Sequence, residues 1–318
     1  MLSDLDRLVA LRLRAEVDEV HDRTAALAWL IEAYGPLLES ARHVEFLHQE
    51  DQAVGAILCG EPVQDRFGSP EARVLVICEP GLEAAQIWAE RCLLELAPDL
   101  DEHCTVQVNA SEQCLVEPLA QFGFGVAKLD TDGLVDVALE RFCGHGVNPL
   151  DFGLEIQPGR LEQASAINVL MRDYFLARPE HGWGGGVLCE AEQAELDRLE
   201  QERLEKILSH EPRTSFVIVR AGELLGYFSF VPHFDHPFFG SAAGINIVLL
   251  PEIQGLGLGK TAYLQMLEQM QAMGIKVLYG RTSNPGVLHI GQLIGRRLRR
   301  LILRRDGPFI PARHIPHS

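Results

Sequence analysis

The fold is decided by the stretch Leu249-Leu250-Pro251-Glu252-Ile253-Gln254-Gly255-Leu256-Gly257-Leu258-Gly259-Lys260-Thr261. An apolar run at 243–250 leads into three glycines at two-residue spacing, and a segment with helical spacing follows at 261–273. Glycines let backbone N–H groups turn toward one point, and a helix N-terminus adds unpaired donors and the positive end of its dipole. The stretch therefore predicts a strand, a loop and a helix that together bind phosphate or pyrophosphate.

Three phosphate-binding patterns can be compared with this loop. The Walker A pattern, G-x-x-x-x-G-K-[ST], matches at Gly259-Lys260-Thr261 but meets Gln254 where its first glycine belongs. The dinucleotide fingerprint, G-x-G-x-x-G, requires a glycine where the chain has Lys260. The pattern Q/R-x-x-G-x-G/A is complete, with Gln254, Gly257 and Gly259 at its fixed positions.

The complete pattern, preceded by Pro251-Glu252, resembles the acyl-CoA-binding loop of the GCN5-related N-acetyltransferase (GNAT) superfamily. The resemblance covers roughly 154–305 in the order of predicted helices and strands. It implies that backbone amides hold the CoA pyrophosphate, that the Thr261 hydroxyl adds to them, and that the end of the strand binds the pantetheine arm. The cofactor-binding residues that it implies are Leu249, Leu250, Gln254, Gly255, Leu256, Gly257, Leu258, Gly259, Lys260 and Thr261.

A second landmark of the family follows the next predicted strand. There an Asn opens a helix of the form N-x-x-A-x-x-x-Y-x-x-x-G-F, whose Tyr protonates the departing CoA thiolate. Asn284 and Gly295 keep the spacing, but Gly291 stands at the Tyr position and Arg296 at the Phe position. The resemblance therefore places Asn284 among the catalytic residues and leaves the proton donor open among solvent, His289 and other side chains.

Two histidines and an aspartate lie in the segment 231–238, just before the strand that leads to the loop. Acetyl transfer to an amine is helped by a base whose pKa is near neutrality. In the fold that the resemblance implies, this hairpin lies at the acceptor end of the cleft. We therefore predict His233 or His236 as the base, oriented by Asp235. The alternatives are a metal site, for which a further ligand is missing, and a polar turn with surface histidines; we predict no metal.

The first half of the sequence shows a fainter copy of the same element order. Helical patterns occur before residue 50, and strands are predicted near 53–58, 73–78 and 105–108. A helix is predicted at 82–96. No repeat of the residues themselves supports a duplication, so the evidence is the order of elements alone.

The predicted fold class is α/β (α+β), with two GNAT-like domains, each a mixed, largely antiparallel central sheet flanked by helices. The segment Cys78-Glu79-Pro80-Gly81-Leu82 stands where the first phosphate loop belongs, and it lacks the Q-x-x-G-x-G pattern. We therefore predict a degenerate acidic domain at 1–147 and an acetyl-CoA-binding domain at 148–318. The alternative for the first half is an unrelated acidic α/β domain.

The net charge of -17 for 318 residues comes entirely from the first half. Residues 1–150 hold 27 acids and 10 bases, whereas 151–318 hold 18 of each. An acidic surface repels phosphates, so no nucleic-acid partner is expected. No apolar run is long enough to predict a membrane span, and the acidic N-terminus does not resemble a signal peptide. We predict a cytoplasmic protein.

The seven cysteines form no C-x-x-C pair, which excludes the usual spacing of a zinc site or disulfide framework. The resemblance implies an acyltransferase that moves the acetyl group of acetyl-CoA to a primary amine, of a small molecule, by direct attack in a ternary complex. The expected partner is the small-molecule amine acceptor, and the expected assembly is a monomer or homodimer. Two alternatives stay open: an acyl-CoA-binding regulatory module without turnover, suggested by Gly291, and a P-loop-like nucleotide-binding protein, suggested by Gly259-Lys260-Thr261.

Overall fold

The chain is divided by its contacts into two units that differ from the predicted domains in their bounds. The computed structural model describes residues 3–15, 20–60, 63–64, 70–96, 103–176 and 190–306. Unit 1 comprises 1–65, 69–129 and 299–318, and unit 2 comprises 66–68 and 130–298.

The predicted boundary at 147/148 is displaced for two physical reasons. Val135, Ala138 and Phe142 are buried in the core of unit 2, so the chain enters that unit before residue 148. Residues Arg297–Asp306 form a strand, and its residues 300–306 pair with 103–109 in unit 1. The chain therefore returns to unit 1 at residue 299.

Unit 1 has helices beside a five-stranded sheet. Its helices are α1 (Asp4–Ala15), α2 (Arg23–Glu39), α3 (Glu83–Leu96) and α4 (Val116–Ala120). Its strands are β1 (Ala41–Gln49), β2 (Gln52–Gly60), β3 (Val63–Gln64), β4 (Pro70–Cys78) and β5 (His103–Asn109), and the end of β12 (Arg297–Asp306) joins them. The order is β1-β2-β4-β5-β12, with β3 paired to β4. Only the β4/β5 pair is parallel.

Unit 2 repeats this plan. Its helices are α5 (Val135–Phe142), α6 (Ala164–Leu176), α7 (Glu190–Leu208), α8 (Leu258–Ala272) and α9 (Pro285–Leu293). Its strands are β7 (Glu155–Pro158), β8 (Ser215–Arg220), β9 (Glu223–His236), β10 (Gly240–Leu249) and β11 (Val277–Thr282), joined by the end of β6 (Gly125–Leu134). The order is β6-β11-β10-β9-β8-β7. The pair β10/β11 is parallel, and β7/β8, β8/β9 and β9/β10 are antiparallel.

The two units share one sequence of elements. Unit 1 runs α1, α2, β1, β2, β4, α3, β5, α4, and unit 2 runs α6, α7, β8, β9, β10, α8, β11, α9. The corresponding strand pairs also have the same directions. The predicted fold class, a mixed and largely antiparallel sheet with flanking helices in each half, is confirmed.

Successive side chains of a strand point to opposite faces of the sheet, so unit 2 packs helices against both faces. On one face of the sheet, Phe228 and Phe230 of β9 pack in a core with Tyr263 and Met266 of α8. On the other face, Tyr227 packs with residues of α6 and α7. Each strand therefore needs apolar residues at consecutive positions, which explains the continuous apolar runs of the sequence.

Residues 41–49 form a strand, although the sequence predicts helical patterns before residue 50. Glu50 and Asp51 connect β1 to β2 with φ of 50° and 64°. Two central residues with positive φ make the tight hairpin turn whose twist matches antiparallel strands. The strand is therefore set by the turn and by pairing with β2, neither of which is visible in its own weak pattern.

Within the described ranges, each helix is too short or too polar to span a bilayer.

Candidate functional site

The parallel strands β10 and β11 separate partway along their length. They pair at Ala242–Gly244 with Val277–Tyr279. Beyond Gly244, β10 continues beside β9 as far as Leu249, and no other described strand pairs with its second edge. The separation leaves a cleft in the middle of the sheet, which we call the splay.

The backbone of β10 presents hydrogen-bonding groups to the splay. The N–H of Leu250 donates to the carbonyl of Leu225 at 2.9 Å. This bond shows which residues of β10 direct their backbone N–H and C=O groups toward β9. In an antiparallel pair this orientation alternates, so Ile245, Ile247 and Leu249 direct their N–H and C=O groups away from β9. The Leu250 N–H is already bonded, which corrects the prediction that Leu250 binds the pantetheine arm.

The glycine loop ends in a helix start that has no capping side chain. Gly255 and Gly257 have φ of 79° and 84°, values that disfavour residues with a Cβ. Gly257 is the N-cap of α8, and no side chain caps the helix there. In the described part of the chain, no acceptor meets the N–H groups of 255–259. Five consecutive donors therefore gather at the positive end of α8.

Two polar side chains of the loop, those of Gln254 and Thr261, hold its conformation. The Gln254 amide donates through Nε2 to the Leu249 carbonyl at 2.6 Å and so fastens the loop to its strand. The Thr261 hydroxyl donates to the Val147 carbonyl and accepts from the Val147 N–H, both at 2.9 Å. Its proton is therefore used within the protein, so the Thr261 hydroxyl has none to donate to a pyrophosphate in this conformation. The half-buried Lys260 donates its backbone N–H to the Gly257 carbonyl at 2.9 Å.

A cavity of about 80 Å³ occupies the splay. Its walls come from β10, from β11 and the residues after it, from the first turn of α9, from two tyrosines and from Arg296. The lining residues are Tyr174, Ile245, Asn246, Ile247, Tyr263, Gly280, Arg281, Thr282, Ser283, Asn284, Val287 and Arg296. The cavity begins two residues before Leu249, so it continues from the loop along the open edge of β10.

Arg296 fills the space that the missing aromatic side chain leaves. A Cβ added at Gly291 would lie 3.4 Å from Arg296 Cδ. The guanidinium donates through Nη2 to the Thr131 carbonyl at 2.8 Å and the Gly280 carbonyl at 3.2 Å. Its Nη1 lies 3.4 Å from the Tyr263 hydroxyl. Burial raises the pKa of Tyr263, and the neighbouring positive charge of Arg296 opposes part of that rise.

Asn284 lies in the cavity wall and caps α9. Its Oδ1 accepts from the N–H of Gly286 at 2.8 Å and of Val287 at 3.3 Å, which satisfies two donors of the first helical turn. Its Nδ2 donates to the Tyr174 hydroxyl at 2.9 Å. Asn284 thus positions Tyr174 and the start of α9, and its catalytic role stays a prediction. His289 is exposed and is not in the cavity wall.

The predicted base is not assembled. His236 Nδ1 accepts from the N–H of Phe238 and of Phe239, both at 3.3 Å, and its ring stacks on Phe239 at 4.7 Å. Burial, with a smaller contribution from His233, lowers the pKa of His236 to about 4. Asp235 is exposed, and in the described residues it bonds to neither histidine. The three side chains therefore lack the orientation that the sequence analysis expected.

The histidines also lie at the wrong end of β10 for this role. His233 pairs with Ala242, seven positions before Leu249. At about 3.3 Å per residue, that places it on the order of 23 Å from the loop along the strand. Neither histidine is in the wall of the splay cavity. In the described part of the chain, no three His, Cys, Asp or Glu side chains are placed to hold a metal ion. The Gly-rich segment 182–186 lies outside the described residues.

His236 gives a pH prediction for stability. In the unfolded chain a histidine takes up a proton near pH 6.5, whereas folded His236 stays neutral down to about 4. The free energy of unfolding should therefore fall as the pH drops from about 6.5 to 4, by on the order of 1 kcal/mol because the ring is half-exposed. Denaturant unfolding of the wild type and of His236→Asn across this range measures the difference, since Asn can accept the same N–H bonds without titrating there. Parallel curves for the two proteins would contradict the prediction.

Unit 1 closes the corresponding space between β4 and β5. These strands pair at Ala72–Leu75 with Cys104–Gln107. Past that point, the Glu112 carboxylate accepts from the Cys78 N–H at 2.8 Å and from the Asn109 N–H at 2.7 Å. Burial raises the pKa of Glu112, although these hydrogen bonds oppose the rise. One buried carboxylate thus occupies the two strand ends where unit 2 has its cavity.

Comparisons with known proteins agree with this geometry. Residues 172–289 match the model of the acetyltransferase (GNAT) family. A GNAT-family acetyltransferase from Colwellia psychrerythraea has a TM-score of 0.50 and 12% identity, covering 96% of this chain and 98% of that one. A GCN5-related N-acetyltransferase from Sphaerobacter thermophilus has a TM-score of 0.55 and 14% identity, covering 96% and 94%. At these identities the likeness shows the fold, over nearly the whole chain. A search of curated proteins found no match.

Proposed function

Since residues 172–289 carry a GNAT-family acetyltransferase domain, we propose that the chain transfers the acetyl group of acetyl-CoA to a primary amine of a small molecule. The observation that carries the proposal is the row of unbonded N–H groups at 255–259, which stands at the start of α8 and continues into the splay. Without this row, the fold alone would not favour an anionic ligand over any other.

The loop and the open edge of β10 are proposed to bind different parts of acetyl-CoA. The N–H groups at 255–259 and the dipole of α8 favour the charged pyrophosphate. Ile245, Ile247 and Leu249 offer the pantetheine arm the pattern of hydrogen bonds that an added strand would use. An N–H on this edge can polarise the thioester carbonyl, as a fixed donor aimed at the developing negative charge. The proposed cradle is thus Gly255, Leu256, Gly257, Leu258 and Gly259, held to Leu249 by Gln254.

Acetyl transfer then follows direct attack by the amine in a ternary complex. The cavity holds the acceptor beside the thioester, so the reaction gains mainly from proximity and orientation. The histidines at 233 and 236 are left out of the step because neither reaches the cavity. Asn284 and Tyr174, joined by a hydrogen bond in the wall, position the acceptor side.

Unit 1 is proposed to have lost donor binding. Glu112 places a carboxyl group between the strand ends, and the loop at 79–82 carries Glu79, which pairs with Arg14 at 2.8 Å. Carboxylates in this position repel a pyrophosphate. We therefore expect one CoA per chain. The cytoplasmic location and the monomer or homodimer state remain predictions from the sequence.

Two other functions keep some support. A regulatory module would bind acyl-CoA without turnover, as the glycine at 291 suggests. A P-loop-like nucleotide-binding protein has less support, because β10 pairs antiparallel with β9 and Gln254 replaces the first glycine of the Walker A pattern.

The test compares thermal unfolding with acetyl-CoA, CoA and Mg-ATP, followed by calorimetric titration and by release of the CoA thiol with a panel of primary amines. A ligand at about 100 times its dissociation constant stabilises a fold by about 2.7 kcal/mol. We expect stabilisation by acetyl-CoA and CoA, one site per chain, and thiol release that depends on an amine. Binding without release for any amine would favour the regulatory module. Stabilisation by Mg-ATP alone would overturn the proposal.

A further inference from the structure

We propose that Tyr263 and Arg296 form the site of the leaving group in unit 2. In this proposal the Tyr263 hydroxyl gives its proton to the CoA sulfur as the thioester breaks, and Arg296 is a positioning residue that holds and polarises the hydroxyl. The inference rests on the proposed function, since it needs a CoA thioester in the splay.

Tyr263 has a buried hydroxyl with a proton to give. Its side chain is 1% exposed and forms part of the cavity wall. An arginine can only donate, so the contact with Arg296 Nη1 uses a lone pair of the tyrosine oxygen. Within the described residues, no acceptor takes the hydroxyl proton. A buried polar group usually has a partner, which makes the cavity the natural place for the missing acceptor.

Arg296 brings an unbalanced positive charge to the same place. In the described ranges, no carboxylate lies within ion-pair distance of its guanidinium. Its Nε is buried and has no hydrogen-bond partner. A half-buried cation without a counter-ion favours negative charge nearby, and the thiolate of a departing thioester is such a charge.

The neighbouring helix cannot supply the proton instead. Gly291 has no side chain, and the aliphatic part of Arg296 covers the position where one would begin. His289 is exposed on α9. Tyr263 lies on α8, the helix whose N-terminus carries the proposed pyrophosphate cradle, so one rigid element would align both ends of the donor molecule.

The proposed step forms a C–N bond, breaks a C–S bond and moves one proton to sulfur. The amine nitrogen forms a bond to the acetyl carbon and loses a proton to water. The C–S bond breaks, its electron pair goes to sulfur, and the Tyr263 proton joins that sulfur to give the free thiol. The tyrosinate, stabilised by Arg296, then regains a proton from water. The products are the acetylated amine and CoA.

The experiment titrates the thiol of bound CoA by the ultraviolet absorbance of its thiolate, which needs no acceptor. A free thiol of this kind has a pKa of about 8.5, and we expect that of bound CoA to be lower by about one unit in the wild type. Tyr263→Phe and Arg296→Met should remove most of this shift, and Arg296→Lys should retain part of it. Affinity for desulfo-CoA should stay within about threefold in all variants.

Two tyrosine variants make the assignment specific. Tyr227→Phe removes a hydroxyl from an equally buried tyrosine outside the cavity wall, so it should leave the thiol pKa unchanged. Tyr174→Phe removes the other tyrosine hydroxyl of the cavity wall, and loss of the shift in that variant alone would overturn the proposal. In turnover with a responsive amine, Tyr263→Phe should lower kcat by about 100-fold with little change in KM for acetyl-CoA.

The outcomes separate this inference from the function on which it rests. If wild-type CoA binding is absent, the proposed function fails. If CoA binds but its thiol pKa is that of free CoA, or is the same in Tyr263→Phe and the wild type, the leaving-group site alone is wrong.

Discussion

Gly255→Asp is expected to weaken CoA binding by about 100-fold, or about 3 kcal/mol, whereas Gly255→Asn should weaken it by less than about threefold. Position 255 has φ of 79°, which Asp and Asn tolerate better than other residues, and no atom lies within 4 Å of an added Cβ. Both variants should therefore fold, and they differ only in charge. The aspartate would put a carboxylate among the N–H donors that are proposed to hold the pyrophosphate, where repulsion is strong.

Calorimetric titration of both variants with CoA measures this difference. Position 257 would be a poorer choice, because its added Cβ would lie 2.9 Å from Val147 Cγ1 and would disturb the fold as well. Since one site per chain is expected, the aspartate should abolish the high-affinity binding of the whole protein. Equal affinities for Gly255→Asp and Gly255→Asn would show that the anionic part of CoA binds elsewhere.

Glu112→Ala is expected to lower the free energy of unfolding of unit 1 by about 3 kcal/mol. The carboxylate is fully buried and accepts from the backbone N–H groups of Cys78 and Asn109. Alanine would leave both donors buried without a partner at the ends of β4 and β5. Glu112→Gln keeps one acceptor oxygen, so it should cost about half as much.

Hydrogen exchange of the β4 and β5 amides measures this loss within unit 1. A global unfolding curve would combine the stabilities of the two units. Glu117→Ala is the matched control, because that side chain is exposed on the neighbouring helix, and it should change stability by less than about 0.5 kcal/mol. Protection that is the same in Glu112→Ala and Glu117→Ala would mean that the carboxylate does not hold the strand ends together.

Local patterns were sufficient for the fold class and for the position of the loop. Three glycines between an apolar run and a helical pattern specify a backbone turn, because only glycine reaches the required φ at Gly255 and Gly257 without strain. The order of strands and helices in each half follows from runs of apolar residues at the right spacing. These features depend on neighbours in the sequence, so the sequence can determine them.

The structure does not bring the residues of the predicted base together, because neighbours in a strand do not share surroundings. His233, Asp235 and His236 lie within four residues, yet Asp235 is exposed while His236 packs on Phe239. The register of β9 against β10 then places His233 beside Ala242, away from the cavity. Proximity in the sequence was therefore a poor guide to proximity in the site.

Local sequence patterns are enough to specify the strand–loop–helix unit, the mixed sheet of each half and the lack of a tyrosine at position 291. The bonds of the Thr261 hydroxyl to Val147, of Asn284 to Tyr174 and of Arg296 to Tyr263 become visible only in the folded chain. The physical reason is the separation of these partners along the chain, by 114, 110 and 33 positions. Helix packing and strand register bring such residues together, and those long-range contacts leave no local pattern in the sequence.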